Sequence, residues 1–238
     1  MIGYFLAVAA GVVAAAGVSR WQGNQTGLSE ARRTALFYAA VGGAIFGAYG
    51  LQLPADVFGW SGPPPAGAMV VGDAMPMGGR TVVGGLIGGW LAVEFAKWRA
   101  GIRASTGDGF ALPLAVALAF GRIGCFVAGC CAGKACQPAW WSTPDAGGVA
   151  RFPTQLIEAA FHLAAAILLA VAVKRNIATG RRFLIYMALY AVVRFALEFA
   201  RENKPIALGL SWYQWLCVTL LAIAGVIWRR NARAVTSP

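Results

Sequence analysis

One arginine stands inside a stretch that otherwise reads as a buried apolar helix. Arg122 lies in the segment Phe110–Phe126, and Cys125, Cys130, Cys131 and Cys136 follow it closely. A guanidinium at bilayer depth costs about 2.5–3.5 kcal/mol or more, so it faces a polar cavity or a ligand. The plainer reading is a helix-end arginine that snorkels to the interface. Glycines 121, 124, 129 and 133 around it allow close backbone approach and a turn out of the helix.

Two further segments carry polar residues at helical spacing. Gln155, Glu158 and His162 fall at i, i+3 and i+7, just after Arg151 and Pro153. Arg194, Glu198 and Arg201 fall at i, i+4 and i+7. Each set lies on one helix face. An Arg194–Glu198 helix-end ion pair would explain the second set without a ligand. A hydrogen-bonded interior histidine would explain His162. Taken together, Arg122, Arg151, Arg194 and Arg201 outnumber the acids near them, Glu158 and Glu198. Arginines converging in an apolar bundle form an anion site, and their planar fork suits phosphate. An anion that reaches such a site from the bilayer is a phospholipid head group.

The elements that must hold these residues are membrane helices. The chain has 238 residues, 59% hydrophobic and 12% charged, with a mean hydropathy of +0.65, the composition of a membrane protein. The net charge of +11 does not indicate nucleic acid, because the basic residues sit between apolar segments and form no soluble face. Seven apolar segments are expected, at about Ile2–Val18, Ala35–Leu53, Thr81–Phe95, Phe110–Phe126, Thr154–Val173, Phe183–Phe199 and Leu208–Trp228. No basic residue precedes the first, which argues for a helix over a cleaved leader, although Ala-Ala-Gly at 15–17 imitates a cleavage site. Gly84, Gly85, Gly88 and Gly89 suit tight packing of the third segment.

The fold expected is thus an all-α integral membrane protein, one seven-helix domain over 1–238 with outer loops 54–80 and 127–153. The Pro- and Gly-rich composition of 54–80 argues against regular structure there. Arg20, Arg32, Arg33, Lys97, Arg99, Arg103, Lys174, Arg175, Arg181, Arg182, Arg229, Arg230 and Arg233 would share one end. The other end holds Arg80, Arg122, Lys134, Arg151, Arg194, Arg201 and Lys204. The positive-inside rule then puts the N-terminus out and the C-terminus in, with the cysteine loop outside.

The motifs GRIG at 121–124, Gly133, RFPTQLIE at 151–158, VRFALEFARE at 193–202 and LSWYQ at 210–214 resemble those of the bacterial prolipoprotein diacylglyceryl transferases. GLSEARRTALFYAAVGGAIFGA at 27–48 and GGLIGG at 84–89 extend the resemblance over nearly the whole chain. It implies a seven-helix enzyme of the bacterial inner membrane with its site toward the periplasm. Such an enzyme moves the diacylglyceryl unit of phosphatidylglycerol to a cysteine thiol of a lipoprotein precursor, releasing glycerol phosphate. The acceptor here would be that thiol or another extracytoplasmic group.

Carried over, Arg122 and Arg194 match the two essential arginines. Gln155, Glu158, Glu198, Arg201 and Gln214 match their polar support, and Gly133 and Arg151 complete the substrate-binding set. The departures lie on the acceptor side. Cys125 replaces an asparagine, Cys130 a glutamate, Val83 a histidine, Tyr49 an arginine and Phe152 a second histidine. The base that activates the acceptor must then be Glu158, His162, or a thiolate of Cys125 or Cys130. No cofactor is expected and no residue is assigned to a metal. The cysteines remain open to a disulfide or redox pair, a shared metal, or free thiols. A second function class also stands: a non-enzymatic or altered-chemistry relative that binds lipid, or handles thiols or metal through the Cys125–Cys136 loop.

Overall fold

The computed structural model describes residues 2–62 and 81–236. Among them are seven long helices and one short one: α1 (Ile2–Gln22), α2 (Glu30–Gly50), α3 (Leu53–Val57), α4 (Val82–Arg99), α5 (Asp108–Val127), α6 (Thr154–Lys174), α7 (Arg182–Glu198) and α8 (Trp212–Thr236). The seven expected segments all appear as helices, with ends shifted by a few residues. The last begins at Trp212 rather than Leu208 and runs on to Thr236. A two-stranded hairpin, β3 (Pro205–Ala207) with β4 (Leu210–Ser211), precedes α8, so its first turn begins at Trp212. The positive φ of Leu208 and Gly209 turns that hairpin. The start of loop 54–80 is also regular, because α3 occupies it with Pro54 in its first turn. Arg80 and the rest of that loop beyond 62 lie outside the described residues.

Five helical stretches, the α1, α2–α3, α5, α6 and α8 regions, are long and apolar enough to cross a membrane. The chain is an integral membrane protein. Large apolar side chains stand exposed along these helices, among them Phe5, Val13, Phe46, Leu168 and Val226, as lipid-facing surface requires.

The helices pack as α1 on α5, α2 on α4, α5 on α6 and α7 on α8. The α2–α4 contact is glycine on glycine. A Cβ on Gly47 would strike the carbonyl oxygen of Gly84, and one on Gly88 that of Gly43. Small residues four apart let two backbones touch. The connections sort into two ends. At one end Gln22 donates to the Gly109 carbonyl (2.7 Å), Ser105 to the Gly180 carbonyl (3.2 Å) and Arg182 to Gln25 Oε1 (3.3 Å). At the other, Trp212 donates to the Leu51 carbonyl (2.6 Å), the Gly62 amide to Asn203 (3.0 Å) and the Lys134 amide to the Ala200 carbonyl (2.8 Å). The long helices therefore alternate in direction.

Candidate active site

Glu158 is the centre of a buried charge cluster at the second end. Its side chain is fully buried in α6. Arg122, near the end of α5, places Nη2 2.7 Å from Glu158 Oε2. Arg194 of α7 lies 4.0 Å and Arg201 3.9 Å from Oε1. Tyr190 donates to Oε2 at 2.9 Å. Arg194 also pairs with Glu198 one turn on, and Glu198 accepts from Asn203 and from Ser211 Oγ. Three guanidinium groups thus face two carboxylates, leaving one positive charge in excess. Arg122 Nε and Arg201 Nε are buried without a hydrogen-bond partner, as is Glu158 Oε1. Buried donors in this state have unused capacity for an anion's oxygens.

Helix periodicity assembles the cluster. On α7, Tyr186, Tyr190, Arg194 and Glu198 repeat every four residues and form one stripe. On α6, Gln155, Glu158 and His162 form the facing stripe. The two run antiparallel, so Glu158 meets Tyr190 and His162 Nδ1 meets the Tyr186 hydroxyl at 2.8 Å. His162 is a hydrogen-bonded interior residue, buried against the rings of Phe161, Tyr186 and Tyr190. The Arg194–Glu198 helix-end pair also forms, but the same guanidinium reaches toward Glu158.

The loop at 128–153 closes over this end. Gly129 (φ 68°) terminates α5 in a Schellman turn: its amide donates to the Phe126 carbonyl and that of Cys130 to the Cys125 carbonyl. Cys130 is thereby folded back over Cys125, and the sulfurs of Cys125, Cys130 and Cys131 lie within 4.8 Å of one another. All are free thiols. Side chains of the charge cluster hold the loop backbone. Gln155 donates to the Cys130 carbonyl (2.8 Å), while Thr154 (2.7 Å) and Arg201 (2.6 Å) donate to that of Cys131. Hydrogen bonds with Cys125 and Cys130, then Arg201 and Arg122, hold the Cys131 thiol well below its ordinary pKa. The Cys130 thiol is pushed up by its hydrogen bonds to Cys125 and Cys131 and by burial. Gly133 packs so closely that a Cβ would sit 2.6 Å from the Ala200 carbonyl.

Two expected residues lie apart from Glu158. Arg151 is committed to the hairpin of β1 (Thr143–Pro144) and β2 (Ala150–Arg151), pairing with Asp145 (2.7 Å) and Glu202 (3.2 Å). Its guanidinium also reaches the Gly133 carbonyl at 3.4 Å. Gln214 ties the start of α8 to α7: its Oε1 accepts from the Ser211 amide (2.9 Å), next to the hydroxyl that reaches Glu198, and its Nε2 donates to the Phe195 carbonyl (3.4 Å). Cys136 stands in the loop with its amide on the Ala150 carbonyl and outside the three-sulfur group.

Sequence reasoning did not single out Tyr190, Thr154, Asn203 or Ser211. Extending the four-residue period back from Arg194 finds Tyr190; the other three depend on how the loops fold. It also counted Arg182 as a topology charge. Arg182 is 2% exposed and donates to the Ala172 carbonyl in the last turn of α6 and to the Ile177 carbonyl just beyond it, beside Asp108. A cleft of about 290 Å³, lined by Gln22, Thr26, Arg33 and Phe110, lies at that opposite end. It is about 20 Å along α5 from Arg122 and holds none of the clustered arginines.

A family model described as prolipoprotein diacylglyceryl transferase matches residues 2–230. A phosphatidylglycerol–prolipoprotein diacylglyceryl transferase of Dehalococcoides mccartyi is 31% identical over 165 residues, 66% of this chain and 62% of that protein. The chain thus spans less than two thirds of the length of that relative. A Clostridium perfringens protein named phosphatidylglycerol–prolipoprotein diacylglyceryl transferase 2 is 28% identical over 236 residues, 94% of this chain and 88% of its own. One from Nitratidesulfovibrio vulgaris is 35% identical over 175 residues, covering 68% and 64%.

Proposed function

The chain belongs to the prolipoprotein diacylglyceryl transferase family, and on that premise we propose that it transfers the diacylglyceryl unit of phosphatidylglycerol to an extracytoplasmic thiol. The acceptor is the cysteine of a lipoprotein precursor. The observation that carries this reading is the excess guanidinium charge around Glu158, with buried N–H groups of Arg122 and Arg201 unpartnered. A phosphate ester leaves when its developing charge is met by donors already in place in a dry site. Arg122, Arg194 and Arg201 take that role. Glu158 and Glu198 orient them and limit their mutual repulsion. Gln155, Thr154 and Gly133 hold the loop that covers the site, and Arg151 and Gln214 brace the hairpins beside it.

The acceptor thiol must lose a proton before it attacks. Val83 is buried in the apolar core of α4 and offers no base. His162 is engaged by Tyr186 and Glu158 by Arg122 and Tyr190. What remains beside the charge cluster is the group of sulfurs of Cys125, Cys130 and Cys131. We place the protein in the bacterial inner membrane with this end toward the periplasm, since lipoprotein precursors present their cysteine there.

The test is release of glycerol phosphate from labelled phosphatidylglycerol in reconstituted membranes, with and without a lipobox peptide. Wild-type protein releases it with the peptide. Arg122→Lys and Arg194→Lys lose about a hundredfold or more, because a point charge does not replace a bidentate fork. Full activity of folded lysine variants would overturn the clamp. Lipid binding without release under any acceptor would favour a non-enzymatic relative.

A further inference from the structure

The three sulfurs beside the charge cluster form an arrangement that phosphate binding does not require. We propose that Cys125, Cys130 and Cys131 are three ligands of a thiophilic divalent cation of the zinc class, with the fourth coordination position open. Their sulfurs lie within 4.8 Å of one another. A tetrahedral site with metal–sulfur bonds of about 2.3 Å needs sulfurs about 3.8 Å apart, so small side-chain rotations close it.

The backbone is set for this arrangement. Neighbouring residues in extended chain point apart, yet Cys130 and Cys131 converge here. The Schellman turn at Gly129 returns Cys130 over Cys125, and Cys131 adopts φ 64°. A left-handed residue other than glycine is strained and persists where its surroundings hold it. Here Gln155, Thr154 and Arg201 grip the two carbonyls.

Charge selects the ion class. The neighbouring cluster of Arg122, Arg194 and Arg201 against Glu158 and Glu198 carries one excess positive charge. A divalent ion on three thiolates carries only one negative charge beside these arginines, whose buried N–H groups stay open to phosphate. A monovalent ion would carry two. Among the described residues no fourth His, Cys, Asp or Glu joins the group, and Cys136 is held away by the hairpin. Three protein ligands and an open position are the pattern of sites that bind a reactant at the metal. Resting on the transferase reading, that reactant is the acceptor thiol. It binds as thiolate and releases its proton to water. Its sulfur then forms the C–S bond to the glycerol carbon as the C–O bond to phosphate breaks, the electron pair leaving with the phosphate.

Full-length protein in detergent, purified anaerobically and stripped by chelator, is titrated with Co²⁺ as the probe. We expect one Co²⁺ per chain with an intense thiolate-to-metal absorption, displaced by Zn²⁺. Cys125→Ser and Cys131→Ser weaken binding at least a hundredfold, whereas Cys136→Ser leaves it unchanged. In wild-type protein, bound Zn²⁺ protects three thiols from a maleimide, which checks the site even where a variant fails to fold. Absence of the thiolate band, unprotected thiols, or a disulfide among the three in protein taken from its native membrane would overturn the proposal. Metal binding with no turnover of phosphatidylglycerol would leave the site standing and remove the transferase reading. Equal turnover by stripped and zinc-loaded protein would remove the metal's role in activating the acceptor.

Discussion

Glu158 is a buried carboxylate that three arginines share, and its removal should be costly twice over. Breaking a buried ion pair leaves uncompensated charge and costs about 3–5 kcal/mol. Glu158→Gln should therefore lower the thermal unfolding midpoint markedly in detergent micelles. An unchanged midpoint would mean that the carboxylate does not neutralise the cluster. Tyr190→Phe removes one hydrogen bond to that carboxylate, worth about 1.5–3 kcal/mol for a charged acceptor. It should destabilise less than Glu158→Gln while keeping the fold. At this scale the identities of Arg122, Arg194, Glu158 and Gln155 were legible from type and spacing alone. Their partners were not all legible. Arg151 reads like the other arginines, but Asp145 lies six residues before it and claims its guanidinium.

Among the elements, the α2–α4 contact is the most sensitive to side-chain size. Gly88→Val would drive a branched side chain into the backbone around Gly43 and Gly47, neither of which has a rotamer to yield. Overpacking costs on the order of 1–3 kcal/mol or more, and loss of folded monomer after detergent extraction would show it. Gly42 faces open space, so Gly42→Ala should be neutral or mildly stabilising. Equal behaviour of the two variants would argue against the close approach.

The β1–β2 hairpin offers a pH test. Arg151, followed by the Val149 and Gly147 amides, holds Asp145 below the usual carboxylate range. Its contribution is thus complete above about pH 4, the ordinary carboxyl value, and is lost as pH falls through the depressed native value. Hydrogen-exchange protection of the Gly147 and Val149 amides should fall on acidification in that window. In Asp145→Ala it should be low at every pH.

For the molecule as a whole, we propose that the end bearing the charge cluster is extracytoplasmic. The α6–α7 connection at the opposite end holds Arg175 and Arg181, with Arg20, Lys97, Arg99 and Lys174 in the last turns of α1, α4 and α6, and basic connections stay in the cytoplasm. Trp140 is 97% exposed in the outer loop and Ile177 is 52% exposed in the α6–α7 connection. In intact cells, Trp140→Cys should react with a membrane-impermeant maleimide beyond the parental signal. Ile177→Cys should react only after permeabilisation. The reverse pattern would invert the topology.

What the sequence by itself determined is whatever depends on local pattern. Apolar runs of helix length set the helices, because backbone groups in lipid must be satisfied within the segment. Residues three or four apart set which side chains share a face, and Gly129 marks the end of α5. Tertiary structure decided which faces meet. The antiparallel crossing of α6 and α7 puts Tyr190 on Glu158 and Tyr186 on His162, pairs 32 and 24 residues apart. The return of the loop after α5 brings the Cys131 carbonyl to Arg201, 70 residues away. Contacts at such separations follow from packing across the whole bundle, and no spacing within one segment encodes them.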